Sequence, residues 1–462
     1  MKKWIKRILL FFSLLLLIVI LMFLWQGLPI ITGYGARLLC SAVFLEGRNP
    51  DDVLKQDLAS FPYNIAHFTI NRQDSSATGS ILGVARQKAA YRTGIGSTLL
   101  RGITEDELKN KQFGLPAPPA VNQDTINWPV GNQIQDPLSD SVNKQQLNTA
   151  LDEAFREGKD HKRNTRAVVV VYNGRIIGEQ YAPGFNEHMP QLGLSMTKSI
   201  VNALAGIMVK QGKLNIHEPA PVPEWQHDER NKITIADLLQ MSSGLRWWEF
   251  YFAPSNATTM LFKEKNMGPY AASLSLQSKP GTEFKYSSGT ANLLSYIIRQ
   301  RLGDGEYYRF PYEQLFYKIG MNSAVLETDA GGTFIGSSYC YATPRDWARF
   351  GLLYLNDGVW NGERILPEGW VKFTATPVSA KNAVGRNSYG AMWWLNAGDA
   401  TGPNQRKHPD VPADCFSCEG FGGQYVWVIP SKKLVVVRLA LEEGDHLNPN
   451  VFLPMVIKAL PR

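Results

Sequence analysis

The chain has 462 residues, a net charge of +7 and a hydrophobic fraction of 44%, which leaves room for a membrane anchor, an accessory segment and one large globular domain. Its Lys and Arg are scattered, with one tight group at the N-terminus. Because the charge is not gathered beside stacking aromatics, a nucleic-acid partner is not expected.

Four cations (Lys2, Lys3, Lys6, Arg7) precede an apolar run from Ile8 to Trp25 broken only by Ser13. As a helix this run spans about 27 Å, close to the hydrocarbon thickness of a bilayer. The preceding cations keep the N-terminus in the cytoplasm and send the remainder across. Residues 1–26 are therefore expected to form a basic start and a single-pass signal-anchor. Residues 8–25 would lie in a bacterial inner membrane, and the rest of the chain would stand on its periplasmic side. A cleaved signal peptide is the competing reading, opposed by the length of the run and the lack of a small-x-small site after it.

Residues 27–140 form a juxtamembrane accessory segment and linker. Ala66–Ile70 and Ser80–Ala85 alternate like short strands, and a Pro-rich, then Asn/Gln-rich, stretch from Leu115 to Leu138 reads as an extended connector. From residue 141 to 462 the texture changes to that of one large globular domain. Ser141 is expected to cap a helix through Phe155. Ala167–Tyr172 and Arg175–Tyr181, joined by Asn173-Gly174, form a type I′ hairpin. Gln424–Ile429 and Leu434–Leu441 give a second hairpin, followed by a helix over Val451–Leu460. Strands at both ends with helices between them imply an α/β (α+β) domain. Its antiparallel sheet would be built from both ends, with flanking helices and a mostly helical subdomain.

Ser195-Met196-Thr197-Lys198 opens the apolar stretch Ile200–Val209, which reads as a buried central helix ended by Gly212. Ser195 then stands at the helix N-terminus with Lys198 one turn later on the same face. A serine hydroxyl needs a base to become a nucleophile, and a helix N-terminus favours a developing oxyanion. The same spacing at Ser141 and Lys144 needs no more than a cap. Tyr286-Ser287-Ser288-Gly289 precedes a core-patterned helix starting near Ala291, so Tyr286 lies where side chains converge. A phenol near a lysine can relay a proton to a leaving group. Gly420-Phe421-Gly422-Gly423-Gln424 before the C-terminal strand allows close backbone approach to a ligand. Cys415 and Cys418 are read as a local disulfide or two free thiols. His217, His227 and His446 are assigned to surface or structural positions.

In this order, these pieces resemble the serine β-lactamase and penicillin-binding-protein superfamily over roughly residues 145–460. The nearest branch holds class C β-lactamases, related esterases and 6-aminohexanoate-oligomer hydrolases. Ile233–Leu245, opened by a Thr234/Asp237 capping box, and Ala342–Gly351 also resemble segments of that branch. The resemblance implies an acyl-enzyme on Ser195, proton transfers shared by Lys198 and Tyr286, and an oxyanion hole from the amides of Ser195 and Phe421. It implies no cofactor and no metal. Tyr181, Ser288, Trp394, Glu419 and Gly420 are the expected substrate-binding residues. Two departures matter. Ser288 stands where many β-lactamases carry Asn, and Cys418-Glu419-Gly420 replaces the Lys-Thr-Gly motif whose cation meets a substrate carboxylate. An acidic Glu419 in the cleft would repel such a group. The expected substrate is therefore a small-molecule or short oligomeric ester or amide. A β-lactamase or D-alanyl carboxypeptidase, and a non-catalytic sensor of the same fold, are the alternatives.

Overall fold

The structure is a computed structural model and describes residues 2–134, 141–158, 162–380, 388–398, 406–444 and 446–461. The chain divides into two compact units. One comprises Met1–Lys111, Trp248–Met267 and Thr328–Gly332; the other comprises Gln112–Trp247, Gly268–Glu327 and Thr333–Arg462.

In the first unit, helix α1 runs unbroken over Lys2–Phe44, well beyond the expected 8–25. The side chains of Trp4–Leu17 are exposed, whereas Ile30, Ala36, Leu39, Cys40 and Val43 are buried. That buried portion packs on a four-stranded antiparallel meander: β1 (His67–Asn71), β2 (Ser76–Ile81), β3 (Val84–Arg92) and β4 (Gly96–Leu99). The alternating run 80–85 is thus no strand of its own but the tip of the β2–β3 hairpin, turning at Leu82 and Gly83 with φ of 49° and 77°. A short helix, Asn256–Lys263, completes this unit against α1, with Phe262 edge-on to Tyr34 at 5.9 Å.

In the second unit, the connector is irregular through Asn122 and makes one 3-10 turn at Gln123–Thr125; its last residues lie outside the described ones. Helix α2 (Lys144–Phe155) is capped by Asn143, whose side chain accepts from the Gln146 amide, and not by Ser141. The first hairpin is β5 (Thr165–Tyr172) and β6 (Arg175–Tyr181). Its turn has φ of 48° at Asn173 and 76° at Gly174, the left-handed pair a type I′ turn requires. Helix α3 (Thr197–Lys210) follows a 3-10 turn over Leu194–Met196. Helix α4 (Ser288–Leu302) begins three residues earlier than expected because Ser287 caps it. Helix α5 (Pro344–Leu355) is capped by Thr343.

Four more strands, β7 (Trp394–Leu395), β8 (Phe416–Gly420), β9 (Gln424–Ile429) and β10 (Leu434–Ala440), join the hairpin in one antiparallel sheet of order β7-β8-β9-β10-β5-β6. The C-terminal hairpin sits inside this sheet because β10 pairs with β5, Val436 opposite Val170. One face packs α2 and helix α6 (Pro449–Lys458) through Leu147, Leu151, Val170, Val436, Phe452 and Val456. The other packs α5, whose Gly351 lies close against Val435 and Val426. Burial on both faces explains why β5 and β10 are near-continuous valine runs instead of alternating ones.

Candidate active site

Ser195 is held by a turn the sequence alone would not choose. Leu194 has φ of 47°, a left-handed conformation costing a non-glycine residue of order 1 kcal/mol. Its neighbours impose it. Gln191–Leu192 pairs with Cys340–Ala342, and the Gly193 amide donates to the Cys340 carbonyl at 2.9 Å. The Thr197 hydroxyl donates to the Leu194 carbonyl at 2.7 Å and accepts from the Cys340 amide at 3.0 Å. Ser195 is left half-exposed at the start of α3.

One turn on, Lys198 is 1% exposed. Its Nζ donates to Ser195 Oγ at 3.0 Å, Ser288 Oγ at 3.1 Å and the Ser337 carbonyl at 2.9 Å. These contacts join the two motifs that lie 90 residues apart. The Ser337 carbonyl is positioned by Asn292 on α4, whose Oδ1 accepts from the Ser337 amide at 3.1 Å while its Nδ2 donates to Ser337 Oγ at 3.1 Å. Sequence reasoning missed Ser337 and Asn292. Asn292 left a signal: a polar residue one turn after Ser288, on a helix whose neighbours are core residues.

The Tyr286 ring centroid lies 4.9 Å from Lys198 Nζ, so phenol and amine share a site. The ring stacks on Trp394 at 5.5 Å and meets Tyr389 edge-on at 5.9 Å. Beyond Trp394, Lys407 Nζ sits 4.8 Å over the indole and is bound to both carboxylate oxygens of Glu419, at 2.9 and 2.8 Å. Glu419 also accepts from Ser417 Oγ at 2.8 Å. The acid expected to repel an anionic substrate is therefore neutralised by a cation that no motif announced.

Gly420 explains why β8 can reach the nucleophile. A Cβ at this position would lie 2.3 Å from the Gly193 carbonyl oxygen, so only glycine permits the contact. Phe421, whose amide was assigned to the oxyanion hole, follows in the turn with a 63% exposed side chain.

Two expected substrate-binding residues are committed to other partners. Ser288 is fully buried, its hydroxyl committed to Lys198, because α4 starts there and turns it inward. Tyr181 ends β6, four strands from β8 or about 19 Å at ordinary strand spacing. Its hydroxyl donates to Glu179 Oε2 at 2.7 Å, and Glu179 pairs with Arg345. Burial, reinforced by Glu179, pushes the Tyr181 phenol well above its ordinary range. Cys415 and Cys418 are buried thiols, not a disulfide, and burial pushes both upward. His217, His227 and His446 are exposed. A groove of about 790 Å³, lined by Val209, Ile216, Pro367 and Trp370 among others, lies at the far end of α3. It is roughly 20 Å from Ser195 along the helix and holds none of these groups.

A serine at a helix start, a buried amine on its hydroxyl and a phenol beside the amine are the parts of an acyl-transfer site. The sequence profile of the Beta-lactamase family matches residues 151–448. The chain belongs to the β-lactamase family and is a serine hydrolase of that fold. It is 25% identical over 299 residues to the 6-aminohexanoate-dimer hydrolase of Paenarthrobacter ureafaciens, covering 60% of this chain and 72% of that one. Among solved structures, a Bacillus anthracis protein described as a 6-aminohexanoate-dimer hydrolase superposes with a TM-score of 0.56 at 22% identity, over 75% of this chain and 90% of the other. EstCE1, a hydrolase with promiscuous acyltransferase activity, gives 0.53 at 15% identity, over 68% and 97%. At these identities the structures attest the fold.

Proposed function

We propose that the protein is a membrane-anchored hydrolase that cleaves an ester or amide through an acyl-enzyme on Ser195. The observation carrying this reading is the 3.0 Å contact between Lys198 Nζ and Ser195 Oγ, with the amine otherwise buried. Burial disfavours the charged form of an amine, which is the condition for its acting as a base. Lys198 takes the serine proton as Oγ attacks the carbonyl carbon. The proton passes through Lys198 and Tyr286 to the departing alkoxide or amine, and water later releases the acyl group. The amides of Ser195 and Phe421 hold the carbonyl oxygen as its charge develops. In this role Phe421 is supported by the close packing of Gly420 on Gly193.

The substrate is a small ester, amide or short oligomer, with Trp394 forming an apolar wall. The Lys407–Glu419 pair makes that wall electrostatically mixed, so a neutral or zwitterionic substrate suits it better than a strongly anionic one. The substrate for which that relative is named, a 6-aminohexanoate dimer, is a carboxamide within this class.

Anchoring rests on the four cations before Ile8 and on the exposed apolar side chains of α1 that follow them; the described stretch long and apolar enough to cross a membrane, Trp25–Phe44, is largely buried within its own unit. Residues 8–25 form the span. The rest of the chain lies on the periplasmic side, with residues 141–462 as the catalytic domain.

A fluorophosphonate probe tests the chemistry directly. The expected result is labelling of the native chain, abolished in Ser195→Ala, with ester turnover lowered at least about a thousandfold. A folded chain that never labels would instead be a non-catalytic binder, and rapid turnover of a chromogenic cephalosporin would make it a β-lactamase.

A further inference from the structure

The β2–β3 turn spends its most exposed positions on apolar side chains. Leu82 is 97% exposed and Val84 58%, so neither contributes appreciably to the core. Leu82 also holds a φ of 49°, where glycine or asparagine is favoured. The left-handed backbone of Leu82 costs the fold of order 1 kcal/mol, and its exposed side chain returns none of this through burial.

Its position along α1 gives the reason. At one end of the hairpin, Cys40 Sγ lies 3.7 Å from the Ser75 carbonyl, and farther along Thr32 Oγ1 donates to the Ala85 carbonyl at 2.7 Å. Gly79 packs on the carbonyl of the same Thr32. The hairpin therefore runs along α1 with its tip toward the helix N-terminus. Three residues from Gly79 to Leu82 extend about 10 Å, equal to about seven helical residues, which brings Leu82 level with Trp25. Trp25 is itself 79% exposed and ends the apolar run.

Cations stand at this level and about 10 Å behind it, where Gln87 pairs with Gly79. Lys263 is hydrogen-bonded to Gln26, and Arg101 donates to the Lys263 carbonyl at 3.4 Å and to Gln87 Oε1 at 2.9 Å. Arg86 is exposed two residues beyond Val84. Apolar side chains at a tip with Lys and Arg around them are the composition of an interfacial membrane contact.

We propose that the β2–β3 turn inserts Leu82 and Val84 into the headgroup boundary of the bilayer that α1 crosses, with Arg86, Arg101 and Lys263 meeting lipid phosphates. The meander-bearing unit is then held to the membrane by two contacts, one spanning and one interfacial, and cannot swing freely about α1. This rests on the reading of residues 8–25 as a span.

The test uses the full chain in vesicles of phosphatidylcholine and phosphatidylglycerol. An environment-sensitive fluorophore is placed in turn at Leu82→Cys, Leu16→Cys and Gln73→Cys, the last in the exposed β1–β2 turn at the other end of the hairpin. The four native cysteines are buried, and Leu82 is exposed enough for its replacement to leave the fold intact. The expected result is quenching by spin-labelled lipid at positions 16 and 82, at least about threefold above that at position 73. Quenching at 16 with position 82 no different from 73 would overturn the second contact and leave the span standing. Absence of quenching at 16 would remove the span reading, and this proposal with it.

Discussion

Lys198 shows how a single buried amine organises the site. Its oxygen partners include Ser195 in the turn before α3, Ser288 on α4 and the Ser337 carbonyl, and the two hydroxyls can be removed separately by substitution. Ser288→Ala should lower kcat about fivefold with little change in KM, because it removes one hydrogen bond to the amine, worth about 1 kcal/mol, from a residue no substrate can reach. Steady-state kinetics checks this; a rise in KM alone would return Ser288 to the substrate-binding role expected from sequence. Glu419 offers a test of selectivity. In Glu419→Ala, Lys407 loses its counter-charge, and KM for a carboxylate-bearing ester should fall about threefold relative to a neutral ester, within the range of a partly exposed ion pair.

The elements work by bringing backbone to backbone. The Ser195 turn is fixed by pairing of Gln191–Leu192 with Cys340–Ala342, and β8 is laid against it through Gly420. Gly420→Ala should therefore move β8 off the turn, since neither main chain can yield as a side chain would. A displacement of about 1 Å costs about a hundredfold in rate, so kcat/KM should drop by that order while circular dichroism stays native. Helix α5 is secured differently, by the buried Arg349–Asp346 pair at 2.6 Å and by Arg349 donating to the Pro129 carbonyl at 2.8 Å. Arg349→Met leaves Asp346 buried without that partner and should cost about 3–5 kcal/mol in denaturant unfolding.

Across the whole molecule, stability should depend on acid through His408. Burial, with a smaller effect from Lys407, pushes its imidazole from 6.5 down to about 4. Between those values the unfolded chain binds more protons than the folded one. The stabilisation is complete above about 6.5 and is lost as pH falls through about 4, an effect of order 1–2 kcal/mol. The melting temperature should decline over that window and flatten in His408→Gln. A slope unchanged by the substitution would place the acid sensitivity in other groups.

Local rules were enough to read the hairpin turn at Asn173-Gly174, the Thr234/Asp237 capping box and the pairing of Ser195 with Lys198 across one helical turn. Each depends on residues within a few positions of one another, where period, cap and turn chemistry act directly. Helix starts slipped where caps compete: Asn143 displaced Ser141, and Ser287 moved α4 forward. What tertiary structure alone decided were contacts across long stretches of chain. The carbonyl holding Lys198 comes from 139 residues away, and Lys407 reached Glu419 from a segment with no motif of its own. The same holds for Leu82, which read as part of a strand until α1 and the meander set its level along the helix. Such partners are chosen by packing of distant elements, which leaves no pattern in neighbouring residues to be read.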